Sequence, residues 1–541
     1  MNMTMKKIIN WLLLVPMALM TASCLEVVEP TGYLTEDKKN ALYEADSENI
    51  LAASVTGMYN NLISFVETDL SHNYFGQKSF DYLTSLMGND MIMTNRYAMS
   101  IYHYLLDYWQ HNYTPTANRW SEYYTAIKGA NDILKLIDPE SEDSAEQYYR
   151  AVALGFRGYA YLQLTYLYQH SYYLGVEGTK WGKSKTYDFS QKPCVPILLE
   201  DTKGDQPRST LAKVHERITE DLTTALAIFD ALNMTYTLET TDIDGTVVAM
   251  HLARQAMILN NWEDAIAYSE IVMANYPVLT DENDILQGFS DKNLPDVVFA
   301  GDITSDNTGI YASWFSQMDC YSDGYAGIGV WRAAFKPLVD KIADNDVRLN
   351  WFCCKRSTGI TLPNEKGEEV TVTLLRDVMA NAQVEYQSVK FIGTGRSNIL
   401  AGRYEGWELG DYIYLRSEEA YLMYAEALAH NKQYTESVAA LNAFVQTRQP
   451  DYSYTFTDYA ALVEEIIYQK RVEFWGEGME YLDNRRLNIP VDRRDETWGA
   501  ENNNHFSGAK MYVEQESENF LYQIPDQEME NNTALTPADQ N

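Results

Sequence analysis

Apolar residues recur at helical spacing along most of this chain. Over 47–65, SENILAASVTGMYNNLISF, they stand at Ile50, Leu51, Val55, Met58, Tyr59 and Leu62, which predicts a helix with one buried face. Trp120, Tyr124, Ile127, Ile133 and Leu134 repeat the pattern over 119–137, and Ile218, Leu222, Ala225 and Phe229 repeat it over 213–232. The stretch 146–169, EQYYRAVALGFRGYAYLQLTYLYQ, is apolar nearly all round, as a fully buried helix is. A last helical pattern covers 462–487 and leads into a polar, loop-like tail.

Two of the helical stretches are versions of each other. Residues 249–277 can be laid on 421–450 so that Leu252 meets Tyr424, Ala253 meets Ala425, Trp262 meets Tyr434 and Ala267 meets Ala439. Each copy reads as helix, short polar turn, helix, with small residues where the helices cross, which is the tetratricopeptide pattern in outline. Such pairs stack because no single pair covers its own apolar face. The predicted fold is therefore mainly α, a right-handed helical frame of tetratricopeptide-like pairs. Between the copies, from about 278 to 410, and again from about 70 to 113, the helical period lapses into Gly, Asp and aromatic residues. Long irregular segments on a rigid frame are usually functional, so the loop-rich ligand-binding segment is placed there.

The N-terminus has a different pattern. Lys6 and Lys7 precede an apolar run, Ile8 to Met20, interrupted by Asn10 and Pro16. A membrane-spanning helix needs roughly 20 apolar residues, so the run is too short to span. Thr21, Ala22 and Ser23 follow as small residues of a cleavage region, and Cys24 directly after them resembles the lipobox of bacterial lipoproteins. The expected organisation is a signal peptide over 1–23, a tether over 24–46 lipidated at Cys24, and one domain over 47–541. That domain divides into a helical frame, 47–277 and 411–490, and an insertion, about 278–410. Two or three acyl chains, at about 0.8 kcal/mol per buried CH₂, hold such a protein on a membrane.

Composition narrows the partners. With 46% hydrophobic residues the chain is globular. A net charge of −35 repels nucleic acid and anionic lipid but leaves neutral ligands free to bind. Five cysteines are too few for a disulfide framework; a bridge from Cys320 to Cys353 or Cys354 is open, with free buried thiols the favoured reading. The 41 tyrosines and 11 tryptophans exceed what a core of this size requires, and amphipathic rings suit stacking on sugars or partners.

Catalytic signatures are missing from the sequence. None of the eight histidines pairs at the i, i+4 spacing of a helical zinc site, and there is no Gly-x-Ser-x-Gly elbow or phosphate-cradling glycine loop. Glycosidase chemistry needs two carboxylates roughly 5 to 10 Å apart, and nothing singles out a pair. TTDIDGT (240–246) and DCYSDG (319–324) read as Asp-Gly turns, without the full calcium-loop pattern. No catalytic residue, metal or cofactor is expected. Sugar binding needs flat aromatic faces beside Asp, Asn or Arg. Residues 88–109 supply these at Asn89, Asp90, Asn95, Arg96, Tyr97, Tyr102 and Trp109; residues 301–331 supply them at Trp314, Tyr321, Asp323, Tyr325 and Trp331.

Several motifs together resemble the SusD/RagB family of surface glycan-binding lipoproteins. YIYLRSEEAYLMYAEALA (412–429) is similar to the family's Arg-x-x-Glu helix ending in Tyr-Ala-Glu-Ala, through Arg416, Glu419, Tyr424, Ala425, Glu426 and Ala427. QKRVEFWGEGMEYLDNRR (469–486) matches its Arg, Phe, Glu-Gly and Asp-x-x-Arg signature at Arg471, Phe474, Glu477, Gly478, Asp483 and Arg486, with Glu480 where the family usually has Arg. FLYQIPDQE (520–528), LGFRGYAYLQLTYLY (154–168) and DNDVRL (344–349) resemble further family elements. The resemblance implies an outer-membrane, outward-facing, non-catalytic lipoprotein. It also implies a SusC-like TonB-dependent transporter as partner, to which captured oligosaccharide is delivered. A lid that captures peptides or another nutrient, and a lipid-anchored hydrolase, are the alternative readings. Read from the residues alone, Arg416 beside Glu419 or Glu426 is a helix-linking ion pair.

Overall fold

Five of the longer helices begin at a side-chain cap that the sequence supplies. The computed structural model describes residues 43, 45–64, 72–94, 100–106, 110–182, 187–353, 360–363, 369–372, 384, 386–494, 505 and 508–541. Its longer helices are α1 (Ser47–Ile63), α2 (Gln77–Leu86), α3 (Thr114–Leu134), α4 (Ser144–Tyr168), α5 (Leu211–Ala231), α6 (Gly245–Ile258), α7 (Trp262–Asn275), α8 (Ser417–His430), α9 (Tyr434–Gln446), α10 (Tyr459–Glu473) and α11 (Met479–Leu487). Asp143 caps α4 by accepting from the N–H groups of Ala145 and Glu146 at 2.8 and 3.1 Å. Asp244, Asn261 and Asp458 cap α6, α7 and α10 in the same way, each satisfying N–H groups the helix leaves over. Asp244 belongs to TTDIDGT, so that segment is a helix cap. The pattern over 462–487 resolves into two helices, because Gly476 and Gly478 both take φ +83°, a left-handed backbone that ends α10 and starts α11 afresh.

Neighbouring helices pack in sequence, α3 on α4, α4 on α5, α5 on α6 and α6 on α7. At the α4–α5 crossing a Cβ on Gly158 would stand 2.7 Å from Leu222, so a glycine is what lets these helices close. After α7 the chain leaves the frame to build the insertion and returns so that α8 packs on α7 and α9 on α8. The two helix pairs read from the repeat thus lie against each other. By contact, Leu51–Asn541 forms one unit and Met1–Ile50 another. Short strands tie the insertion down. Strand β1 (Met91–Met93) pairs antiparallel with β3 (Arg332–Ala334), and β2 (Val297–Gly301) pairs antiparallel with β4 (Tyr412–Arg416). Helix α2 lies in a stretch that lacks helical period. Its Gln77, Lys78, Ser79, Thr84 and Ser85 are buried among polar partners, so hydrophobicity does not mark its inner face.

A buried ion network joins the insertion, the repeat and the last helices. Arg416, at the end of β4, donates to both carboxylate oxygens of Glu477 at 3.0 Å and to Glu473 at 3.3 Å. Arg448 donates to Glu473 at 3.1 Å and to Glu418 at 3.0 Å. Arg348, from the insertion, donates to Asp346 at 2.7 Å and approaches Glu473 at 3.5 Å. Lys390 donates to Glu477 at 2.6 Å and to the carbonyls of Glu473 and Trp475. Arg416 therefore makes the expected ion pair with different acids. Glu419 is held instead by Arg254, and Glu426 by Arg486 and Lys470. Against the burial that would raise it, Arg416 and Lys390 hold the Glu477 carboxyl down to about 2. Burial lowers Lys390 to about 8 in spite of Glu477.

Cations and carboxylates match one for one in this network except for Asp296. Its buried oxygens form no hydrogen bond and lie 3.6 Å from Arg416 at the nearest, while Arg416 approaches Oε2 of Glu418 at 3.3 Å without bonding it. Burial first, and then the neighbouring Glu418, push Asp296 well above the usual carboxylate range. That direction favours the neutral form of Asp296, in which the network's charges balance.

Removing one member of a buried ion network strands its partners, at a cost of about 3–5 kcal/mol. Glu473→Ala should lose that much in urea denaturation, since three arginines converge on it. Asp296→Asn should behave differently. A raised folded pKa stabilises fully in acid and loses that contribution as pH rises through the folded value. The difference between the two proteins should therefore move against the parent as pH rises from about 4 toward the raised folded value; a difference that stays constant with pH would exclude a raised Asp296.

Candidate functional site

The insertion folds back on itself around the short helix Trp314–Met318. Ser313 caps that helix, accepting from the Ser316 N–H at 3.2 Å. The loop after it is held from inside. Asp319 accepts from the N–H groups of Tyr321 at 2.7 Å and Gly393 at 2.9 Å. Ser322 donates to the Asp319 carbonyl at 2.7 Å and accepts from the Gly324 N–H at 3.1 Å. The Ala326 N–H returns to the Ser316 carbonyl at 2.8 Å. The DCYSDG segment is thus a tight turn.

At the apex of this loop a circuit of side chains forms. The Trp407 indole N–H donates to Asp323 at 2.7 Å. The Trp407 ring lies 6.4 Å from Tyr311, which stacks on His72 at 6.2 Å with 19° between planes. His72 Nδ1 shares a 2.7 Å hydrogen bond with the Tyr325 hydroxyl, and Tyr325 lies two residues from Asp323 in the chain. Tyr311 is 44% exposed, and Ile310 and Ile328 stand exposed on the same segments. Ile310 holds φ +49°, a left-handed backbone that a β-branched residue adopts only under constraint and one that concentrates at functional sites. The result is an aromatic surface with one exposed carboxylate, held by protein contacts on its other sides. Such a surface can stack on a flat apolar face and hydrogen-bond a hydroxyl.

Asp323 and Tyr325 are the sequence-derived candidates that belong to this circuit. Tyr321 is buried at the base of the loop, and Trp314, at 1% exposure, is core. The Trp314 N–H donates to the Tyr412 hydroxyl at 3.3 Å, and its ring packs on Phe391 and beneath the Lys78 ammonium. Trp331 is half-buried beside β3, and its carbonyl accepts from Thr94. Asn89 and Asp90 give way as ligand contacts because they are buried and engaged. The Asn89 side chain donates to the Pro490 carbonyl, and Asp90 takes two bonds from Arg471. The backbone N–H groups of Asn89 and Asp90 donate to Glu480 at 2.6 and 3.0 Å, which gives the departure at Glu480 a structural role. Asn95, Arg96, Tyr97, Trp109 and Cys24 lie outside the described residues, while Tyr102 is exposed and stacks on Tyr113. The sequence reading missed His72, Tyr311 and Trp407. Tyr311 and Trp407 each follow a glycine closely, Gly309 and Gly406, the one local hint that the rings sit on turns.

Among the described residues no group of three or more His, Cys, Asp or Glu side chains could hold a metal ion, and no helix is long and apolar enough to cross a membrane. Cys194, Cys320 and Cys353 are free thiols. Burial raises the Cys320 thiol well above its usual value.

Two family models match the chain. One, SusD-like and described as starch-binding associating with outer membrane, covers residues 32–242; the other, the SusD family, covers 379–541. No curated protein matches it. Among solved structures, a SusD-like carbohydrate binding protein from Bacteroides vulgatus is similar, with a TM-score of 0.71 and 22% identity over 91% of this chain and 98% of that one. A SusD superfamily protein from Bacteroides thetaiotaomicron has a TM-score of 0.67 and 16% identity over 91% and 99% of the two chains. One from Parabacteroides distasonis has 0.63 and 15% over 92% and 99%. At these identities the likeness shows the fold.

Burial pushes the Asp319 carboxyl up to about 7, against the N–H groups of Gly393 and Tyr321 that favour its charge. Its folded value lies above the unfolded one, so its contribution is full in acid and is lost as pH rises through about 7. Melting temperature should fall between about pH 4 and pH 7 and level off above, and the fall should be shallower in Asp319→Asn. That variant starts lower, by about 1–3 kcal/mol, because an amide cannot accept from both N–H groups through its nitrogen. Identical slopes would show that Asp319 does not titrate there.

Proposed function

The chain belongs to the SusD/RagB family, and from that premise we propose that it is a non-catalytic, membrane-tethered protein that captures neutral oligosaccharide at the Tyr311 platform. The observation that carries this reading is the circuit itself. Tyr311 offers an exposed ring whose orientation is set by His72 on one side and Trp407 on the other, and Asp323 stands beside it, exposed and bonded only through one oxygen to Trp407. Pyranose rings present flat C–H faces edged with hydroxyls, and this pairing of aromatic face and acceptor suits them. Similar structures include one named a carbohydrate binding protein, which favours a sugar over a peptide. Hydrolysis would need two carboxylates at roughly 5 to 10 Å; within the circuit Asp323 is the single carboxylate, already serving an indole. The net charge of −35 favours a neutral ligand over a polyanion.

Capture on a tether moves nothing across a membrane, so this reading includes a partner. Lipidation at Cys24 would hold the protein on the outer membrane, facing the exterior, and a SusC-like TonB-dependent transporter would receive the ligand. An interface that persists buries upward of roughly 1,200 Å².

Calorimetric titration with neutral oligosaccharides should give dissociation constants in the micromolar to millimolar range, about −4 to −8 kcal/mol. Tyr311→Ala and Asp323→Ala should each weaken binding by about tenfold or more, roughly 1.4 kcal/mol, with unfolding unchanged. Undiminished binding by the double variant would remove the platform from the reading. Purification from the native host in mild detergent, with the anchor intact, should recover a TonB-dependent barrel at near-equal stoichiometry, whereas recovery of the lipoprotein alone would count against the transporter.

A further inference from the structure

A groove of about 530 Å³ lies along the outer side of α3, walled by the 196–206 loop and by the C-terminal segment at 525–532. Ligand sites in proteins span about 300–1,000 Å³ and combine apolar walls with a few polar groups. The floor is Trp120 and Tyr124, one turn apart on α3, with ring centroids 4.7 Å apart. Tyr124 is committed, its hydroxyl donating to the Pro196 carbonyl at 2.7 Å. Trp120 is not. It is 6% exposed, its ring packs against Tyr124 and Tyr168, it lines the groove, and among the described residues its indole N–H has no acceptor. A buried indole normally finds an acceptor, so this donor is available to a ligand.

The rim has a consistent character. Gln527 and Asn531 are exposed and their amides have no partner among the described residues, and Ser121 and Thr125 add hydroxyls from α3. Lys128 at the rim pairs with Asp132 at 2.7 Å, while the carboxylates of Asp205 and Glu528 accept from neutral partners, Thr533 and, at 2.7 Å, Asn532. Those two carboxylates leave negative charge at the rim, which disfavours an anionic ligand and offers acceptors to hydroxyl groups. A purely apolar ligand would leave the indole N–H unsatisfied at a cost.

We propose that this groove is a second carbohydrate site, taking a short neutral segment of the glycan whose capture at the Tyr311 platform was argued above, on which it rests. The half-buried Tyr124 ring supplies apolar contact on the floor, and the Trp120 N–H bonds a sugar hydroxyl. The wall at Pro525 comes from FLYQIPDQE, a motif the platform does not use. The Tyr522 N–H of that motif is fixed to the Leu167 carbonyl at 2.9 Å and the Asp526 N–H to the His111 carbonyl at 3.0 Å, so the wall is in place before a ligand arrives.

The test is calorimetry with short neutral gluco-, manno-, xylo- and galacto-oligosaccharides on four proteins: the parent, Trp120→Phe, Tyr311→Ala and the double variant. Trp120→Phe keeps a ring on Tyr168 and removes the N–H, so the fold is retained and the lost hydrogen bond should weaken the groove roughly fivefold. The expected result is two binding events in the parent, the platform event alone altered by Tyr311→Ala, and the remaining event weakened by Trp120→Phe. A single event in the parent, abolished by Tyr311→Ala and untouched by Trp120→Phe, overturns the groove and leaves the platform standing. Binding weakened by Trp120→Phe and indifferent to Tyr311→Ala keeps the groove and overturns the platform. Absence of binding by any of the oligosaccharides overturns both.

Discussion

The structure depends on Glu473. It sits at the last turn of α10 with no contact to water, and Arg348, Arg416 and Arg448 converge on it from the insertion, from the returning strand and from the end of α9. These segments are distant in sequence, and their charges are satisfied only where they meet. Burying several ions is a poor source of net stability, because desolvation offsets most of the attraction. Its value lies in uniqueness: any other arrangement leaves a desolvated charge without its partner. Asp296 fits that constraint through its raised pKa, which disfavours a fifth charged carboxylate with no cation of its own.

From Glu473 a chain of contacts leads to the platform. Lys390 binds the carbonyls of Glu473 and Trp475. Its neighbour Phe391 stacks on Trp475 and meets Trp314 edge to face at 5.0 Å. Trp314 opens the short helix whose cap, Ser313, follows Tyr311 by two residues, while Asp319 at its other end ties the loop to Gly393. The exposed ring and carboxylate are therefore placed by a core that does not itself touch a ligand. On the proposed reading, binding there would order little, and the affinity of a few contacts would not be spent on fixing loops.

The frame was legible in the sequence because a 3.6-residue apolar period survives wherever a helix buries one face. It failed at α2, where polar side chains occupy the buried positions and find partners: Gln77 meets Tyr123, and Ser79 meets Arg119. It also ran α10 and α11 together, although Trp-Gly-Glu-Gly marks the break. For the proposed site, composition picked out the stretch that carries Asp323 and Tyr325 and did not separate its exposed members from its buried ones. Asp323 and Tyr325 stand on the circuit, yet Trp314, Asn89 and Asp90 carry equally suitable groups and spend them on the frame. Residue type gives chemistry, and burial decides whether that chemistry faces a ligand. His72 and Tyr325 bond across 253 positions of sequence, and Tyr311 and Trp407 meet through the fold alone. No local signal encodes such a meeting.

A site for handing ligand onward has to bind and also release. Tyr311 has one exposed ring face and Asp323 has one free oxygen, so the contact that forms is small and the dissociation rate correspondingly high. On the proposed reading this weakness is functional, because a ligand bound tightly by the tethered protein would not pass to a transporter. Retention of a polymer can come instead from its length, since a chain released by one site remains close to any other site on the same surface. Linked weak sites raise avidity by effective concentration without tightening either contact. The strongly acidic surface works in the same direction. It adds nothing to the hold on a neutral glycan, so release meets no long-range electrostatic attraction and depends only on breaking the few contacts at the ring.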